Sequence, residues 1–182
     1  MTGTVAFLGD PLDISAPCET REVEHPRTLV WVCDLRTTGD RRSARKQLKQ
    51  ASLAMFDACR VSRTVRHLLV AYTVQASCSA STDHVAWTLA TRLHTQLELR
   101  IGRDIDVVFI NISNLDDQKL LYDRAVEWSS QLEGLAGTAV LDWTDIRNES
   151  IRRAANQAYL ALHTSGGGGG VSPPPMRSMR SR

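Results

Sequence analysis

The sequence predicts a three-layer α/β/α domain built on a mostly parallel sheet of four or five strands. Two observations carry this. Short apolar runs alternate with segments of helical periodicity, strand then helix, four times over. The runs are also continuously apolar, as in strands covered on both faces, where a half-exposed strand would alternate. Crossovers between such strands are expected to be right-handed. Strand order is not readable from the pattern.

Thr4 to Leu8 (TVAFL) reads as a first or edge strand, broken by Gly9-Asp10-Pro11. With Pro11, Pro17, Pro26 and a mixed charge run, residues 1–27 read as an N-terminal arm carrying that strand. Thr28 to Cys33 (TLVWVC) joins β-branched and aromatic residues without charge, a strand signature, and Asp34 closes it. Asp40 or Ser43 is expected to cap a helix whose buried stripe is Ala44, Leu48, Ala51, Met55 and Ala58. Its other face is basic: Arg41, Arg42, Arg45, Lys46 and Lys49. Such a run is a solvated surface or a phosphate-contacting face, and it lacks aromatic residues on which bases stack.

Leu68 to Gln75 (LLVAYTVQ) is the next strand. Ser81 or Thr82 caps a second helix with the stripe Val85, Leu89, Leu93 and Leu97, ended by Gly102. Val107 to Ile110, the most apolar run, reads as the central strand with a polar exit at Asn111, Ser113 and Asn114. Asn114 is expected to cap a third helix, with Asp116 and Asp117 in its first turn, where the helix dipole favours acids. Its stripe is Leu121, Ala125, Trp128 and Leu132, and Gly134 stops it. Thr138 to Trp143 (TAVLDW) is a fourth strand, and Asn148 caps a last helix with the stripe Ile151, Ala155, Ala158 and Leu162. Residues 28–164 form the α/β domain. Residues 165–182, with five glycines, three prolines and an Arg/Ser end, are expected to be a disordered tail.

Charged residues at 23% and hydrophobic residues at 42% are ordinary for a globular chain. The net charge of +2 names no partner. Three arginines, Arg177, Arg180 and Arg182, fall at the very end, so the body is about neutral and the positive charge is a tail. No signal-peptide pattern opens the chain, and no apolar run approaches the roughly 18 residues of a membrane span. Cys18, Cys33, Cys59 and Cys78 show no CxxC spacing and the five histidines no HxxxH spacing. Neither a metal nor a cofactor is therefore expected. Reduced thiols suit a cytoplasmic location, with the nucleus open.

In open parallel sheets, ligands bind outside the carboxyl ends of the strands. Those ends offer Asp34 with Arg36 to Thr38, Thr73 with Ser77 to Ser79, Asn111 with Ser113 and Asn114, and Asp142 with Thr144 and Asp145. The same residue types cap helices and make turns. As an enzyme, the chain would use Asp34, Asn111, Asn114 and Asp145, with His84 beside Asp83 as proton shuttle.

Three resemblances touch this rim. Gly9-Asp10-Pro11-Leu12 after a short strand resembles the Gly-Asp-Ser-Leu block of the SGNH hydrolases, which implies ester hydrolysis by serine, aspartate and histidine. Pro11 stands in place of the nucleophile, Arg36-Thr37-Thr38 in place of Gly-x-Asn, and Asn148 in place of the histidine three residues after Asp145. Ala71-Tyr72 followed by Asp83-His84-Val85 is similar to the Gly-Ser…Asp-x-Asp block of the minimal nucleotidyltransferases, with Asp106 as a third carboxylate and Val85 replacing the second acid. Two-metal phosphoryl chemistry needs those carboxylates to converge. Asp34-Leu35-Arg36-Thr37-Thr38 resembles the Asp-x-Ser-x-Ser metal motif of the von Willebrand A type of domain, with Arg36 where the first serine belongs.

No family is assigned. The sequence is read as a Rossmann-like or flavodoxin-like domain without an intact catalytic motif, serving as an interaction or regulatory protein. Its expected partner is a protein, with nucleic acid or an anionic surface open through Arg177, Arg180 and Arg182. The alternative is a small hydrolase or a divergent nucleotidyltransferase-like enzyme with its site at the strand ends. Fold alone does not choose between them.

Overall fold

Five parallel strands form one sheet, and their spatial order is their order in the chain. They are β1 (Val5–Gly9), β2 (Thr28–Asp34), β3 (His67–Thr73), β4 (Asp106–Asn111) and β5 (Thr138–Asp142). The computed structural model describes residues 4–11, 24–132, 134 and 137–164, without the side chains of 162–164. The expected tail, with Arg177, Arg180 and Arg182, lies outside the described residues. Every residue of β3 and β4 is buried, which makes these two the centre of the sheet.

Register fixes two cores, because successive side chains point to opposite faces. Trp31, Val70, Phe109 and Val140 align across one face, and Val30, Leu69, Val108 and Ala139 across the other. On the first face pack α1 (Arg41–Val61), through Ala44, Leu48, Met55 and Cys59, and α2 (Ser79–Ile101), through Val85, Leu89, Leu93 and Leu97. The second face is covered by α3 (Gln118–Ser129), the short α4 (Trp143–Asn148) and α5 (Ile151–Thr164). Trp128 of α3 and Trp143 of α4 are its largest buried side chains.

This arrangement overturns the expectation that every crossover is right-handed. The order advances by one strand at each step, yet α1 and α2 return over one face and α3 over the other. The β4–α3–β5 crossover therefore has the opposite hand to the two before it. The physical reason is occupancy: α2 already lies over β4 and β5 on the first face. The chain leaves β4 towards the free face, where α3 packs over β1, β2 and β3 before returning to β5.

Several boundaries differ from the sequence pattern. Asp40 caps α1 as expected, accepting from the Arg42 and Ser43 amides. Asp117 rather than Asn114 caps α3, accepting from Leu120 N at 2.9 Å, because a turn closed by Leu115 N donating to Ile112 O holds Asn114 outside the helix. That helix stops well before Gly134. Ser129 and Ser130 turn their hydroxyls back onto Val126 O and Glu127 O, the local competition that makes serine a helix-ender, and Leu132 is left 71% exposed. A 3₁₀ turn at Ala76–Cys78 starts α2 early, so Ser81 and Thr82 lie inside its first turn, both donating to Cys78 O. Asn148 ends α4, and Ser150 Oγ accepts from Arg153 N at the start of α5.

The amino ends of the strands are closed by buried polar pairing. His67 Nδ1 faces Asp106 Oδ2 at 3.2 Å, its Nε2 faces Gln131 O at 3.3 Å, and Trp128 lies 4.7 Å from its ring. Asp106 Oδ1 also accepts from Gly137 N, which fixes the residue just before β5. Buried polar groups are tolerated when partnered in this way.

Candidate functional site

Adjacent connections that leave a sheet towards opposite faces open a crevice at its carboxyl edge, the usual seat of a ligand. Here that point lies between β3, which feeds α2, and β4, which feeds α3. The chain fills it. Ser113 Oγ accepts from Val74 N at 2.8 Å and lies 3.1 Å from Val74 O, while Ile112 N donates to Tyr72 O.

The candidate residues fall into separate groups around this edge. Asp34 ends β2 and is gripped by Arg36, whose Nε and Nη2 donate to its two oxygens at 2.9 and 2.7 Å. Thr73 Oγ1 donates to it at 2.8 Å. The Arg36 guanidinium holds the Asp34 carboxyl well below the usual carboxylate range. Arg36 thus sets a guanidinium against Asp34, the carboxylate that opens the Asp-Leu-Arg-Thr-Thr stretch.

Gly9 and Asp10 are used in strand pairing. Gly9 has φ +92°, and a Cβ there would lie 2.2 Å from Val32 O, so only glycine fits. Asp10 Oδ2 accepts from Asp34 N at 2.8 Å. The block that resembles an esterase motif is explained, over its described residues, by the splice between β1 and β2.

Asn111, the buried end of β4, lies two strands from Asp34, about 10 Å at ordinary strand spacing. Its Oδ1 accepts from Ser113 N and Oγ, and its Nδ2 donates to Ser79 Oγ at 3.0 Å. Ser79 Oγ reaches Asp83 Oδ2 at 3.4 Å, and Tyr72 OH donates to Asp83 Oδ1 at 2.7 Å. Burial, and then the hydrogen bond to Asp83, push the Tyr72 phenol far above its ordinary range. The sequence reading missed this Tyr72–Asp83–Ser79–Asn111 chain. Its one visible signal was a tyrosine following the aliphatic run Leu68 to Ala71.

Asp145 accepts from Asp142 N at 2.8 Å, a helix-start contact. Partial burial raises the Asp142 carboxyl above its usual value, helped by the charges of Asp83 and Asp145. Asn114 is exposed and outside α3. Asp106 begins β4 and Asp83 bonds near its far end, so these two carboxylates do not converge as a two-metal site requires. Among the described residues no cluster of His, Cys, Asp and Glu is arranged to hold a metal ion.

His84 is not on this edge. It lines a cleft of about 200 Å³ on the outer surface, between the amino-terminal halves of α1 and α2. Arg41, Arg45 and Lys49 form one wall, and His84, Thr88 and Arg92 the other. Val85 and Leu89 form the floor. The basic face read from sequence is thereby divided: Arg41, Arg45 and Lys49, four residues apart, share the cleft, and Arg92 joins them from a different helix. None of these four cations has a carboxylate partner among the described residues.

No family model matches the chain, and neither a curated protein nor a solved structure shows significant similarity to it.

Proposed function

We propose that the chain is an interaction or regulatory protein, with the α/β body as a docking platform and Arg177, Arg180 and Arg182 as a second contact. One observation supports this above others. Asp34 and Asn111 are engaged by the chain's own hydrogen bonds, whereas four cations without a carboxylate partner among the described residues converge on the cleft between α1 and α2. Like charges in proximity cost stability, and a partner of opposite charge relieves that cost.

The reading is tested in cells that depend on this chain. Arg45→Glu with Lys49→Glu is expected to abolish its function, and deletion of residues 165–182 to weaken it, while Asp34→Ala and Asn111→Ala variants that remain folded keep it. Loss of function in the folded rim variants with a silent cleft variant would overturn it.

A hydrolase is the second reading, and it is favoured by the raised Asp142 carboxyl beside Asp83 and Asp145, since perturbed acids collect at catalytic sites. In it Asp34, Asn111, Asn114 and Asp145 would supply the polar rim. Hydrolysis of a panel of chromogenic esters and phosphoesters that disappears in Asp142→Asn would support it, and equal background rates in both proteins would dismiss it.

A further inference from the structure

The cleft continues along the two helices. Beyond Lys49 and Arg92 it runs as a narrower groove of about 40 Å³ past Ser52, Leu53, Leu93 and Gln96. Its walls are two columns at four-residue spacing: Arg41, Arg45, Lys49 and Leu53 on α1, and His84, Thr88, Arg92 and Gln96 on α2. Twelve residues of α-helix rise about 18 Å, so the columns span three to four turns. The groove is charged at one end and apolar at the other, where Leu53 is 64% exposed.

From this pattern we infer that the groove seats an acidic, amphipathic helix of a protein partner. Its carboxylates at four-residue spacing lie opposite Arg41, Arg45 and Lys49, and an apolar side chain one turn further on covers Leu53. This deepens the docking reading and rests on it. Charge complementarity selects an anion, and the repeat matches, because a partner helix presents acids at the same pitch as the cations that receive them. The apolar end selects protein over nucleic acid. A phosphate backbone is anionic along its whole length, gains nothing from Leu53, and finds no Phe, Tyr or Trp in either lining on which a base stacks. The Asp40 carboxylate caps α1, accepting from Arg42 N, Ser43 N and Ser43 Oγ, and forms no ion pair with the cleft cations among the described residues.

Fluorescence anisotropy with the full chain tests this using three probes. The first is a helix-forming peptide with Glu at positions i, i+4 and i+8 and Leu at i+12. The second has the same composition with Leu moved to the opposite face, and the third is a single-stranded oligothymidine of similar charge. Saturable binding of the first is expected, weakened about tenfold or more by Arg45→Glu, weakened by Leu53→Asp, and reduced by salt. A peptide with Lys in place of the central Glu is expected to regain binding to Arg45→Glu. Equal binding of the two peptides, tighter binding of the oligonucleotide, or no saturable binding of either peptide would overturn the assignment. If the cleft variants fail in cells while both peptides fail to bind, the partner class falls and the docking reading stands. If the cleft variants are silent in cells, the docking reading itself falls.

Discussion

The two faces of the sheet treat their cations differently. On the second face, Arg147 pairs with Asp116 at 2.8 Å, Arg124 with Glu127 at 3.0 Å, Lys119 with Asp123 at 2.6 Å, and Arg153 with Glu149. Asp116 also accepts from Trp143 Nε1, and Arg124 Nε donates to Ile146 O, so these charges tie α3 to α4. On the first face, Arg41, Arg45, Lys49 and Arg92 surround a cleft with no acid among the described residues that line it. Both faces bury an apolar core against the same strands. The difference is confined to the cleft: further along α1 Arg60 pairs with Asp57 and Arg103 donates to Cys59 O and Ser62 O, whereas the four cleft cations have no carboxylate partner among the described residues.

The largest expected effect tests whether the second face is a packed core at all. Trp128→Ala removes a side chain lying on His67 and should cost about 3–5 kcal/mol in chemical denaturation. A loss below about 1 kcal/mol would contradict the packing described. Tyr72→Phe comes next, because it deprives Asp83 of a donor at the carboxyl edge. About 1–2 kcal/mol of stability should disappear with the fold unchanged, read by the same titration.

A smaller effect separates the faces by sign. Arg147→Ala breaks an exposed pair and should lower stability by up to about 1 kcal/mol. Arg45→Ala relieves repulsion from Arg41 and Lys49 and should raise it by about 0.2–0.5 kcal/mol. Thermal melts in which both changes have the same sign would break the comparison.

The smallest effect is set by pH. Arg36 depresses the Asp34 carboxyl, so the folded chain holds that proton more weakly than the unfolded one. The stabilisation is present above about pH 4, the unfolded value, and is lost as pH falls through the lower folded value. Asp34→Asn should thus differ from its parent above about pH 4 and converge with it in acid. Asp34 is about a third exposed, so solvent screening keeps the difference modest.

What was legible in the sequence was local. The stripes of α1 and α2, the Asp40 cap and the apolar runs of β2 to β5 are set by periodicity within a few residues, and they were found. Asn114 and Asp117 are both good caps three residues apart, and only the turn at Ile112–Leu115 decides between them. The hand of the α3 crossover was illegible because it depends on where α2 had already settled. The cleft was half visible: the α1 column can be read from spacing, but Arg92 joins it only through the packing of two helices side by side. His84 was noticed as a proton carrier, and the same packing places it among the cations.

A sheet whose spatial order equals its chain order can be assembled in the sequence in which it is made. Each strand adds to an edge that already exists, and none must be inserted between neighbours that paired earlier. Once α2 has emerged from the ribosome, β1, β2 and β3 and both walls of the cleft have been synthesised. The edge of β3 then stays open until β4 arrives. Domains fold from the amino terminus as synthesis proceeds, at about 5–20 residues per second. Because α2 packs over β4 and β5, the second wall of the cleft is seated only when these last two strands have paired, and the cleft is completed together with the sheet.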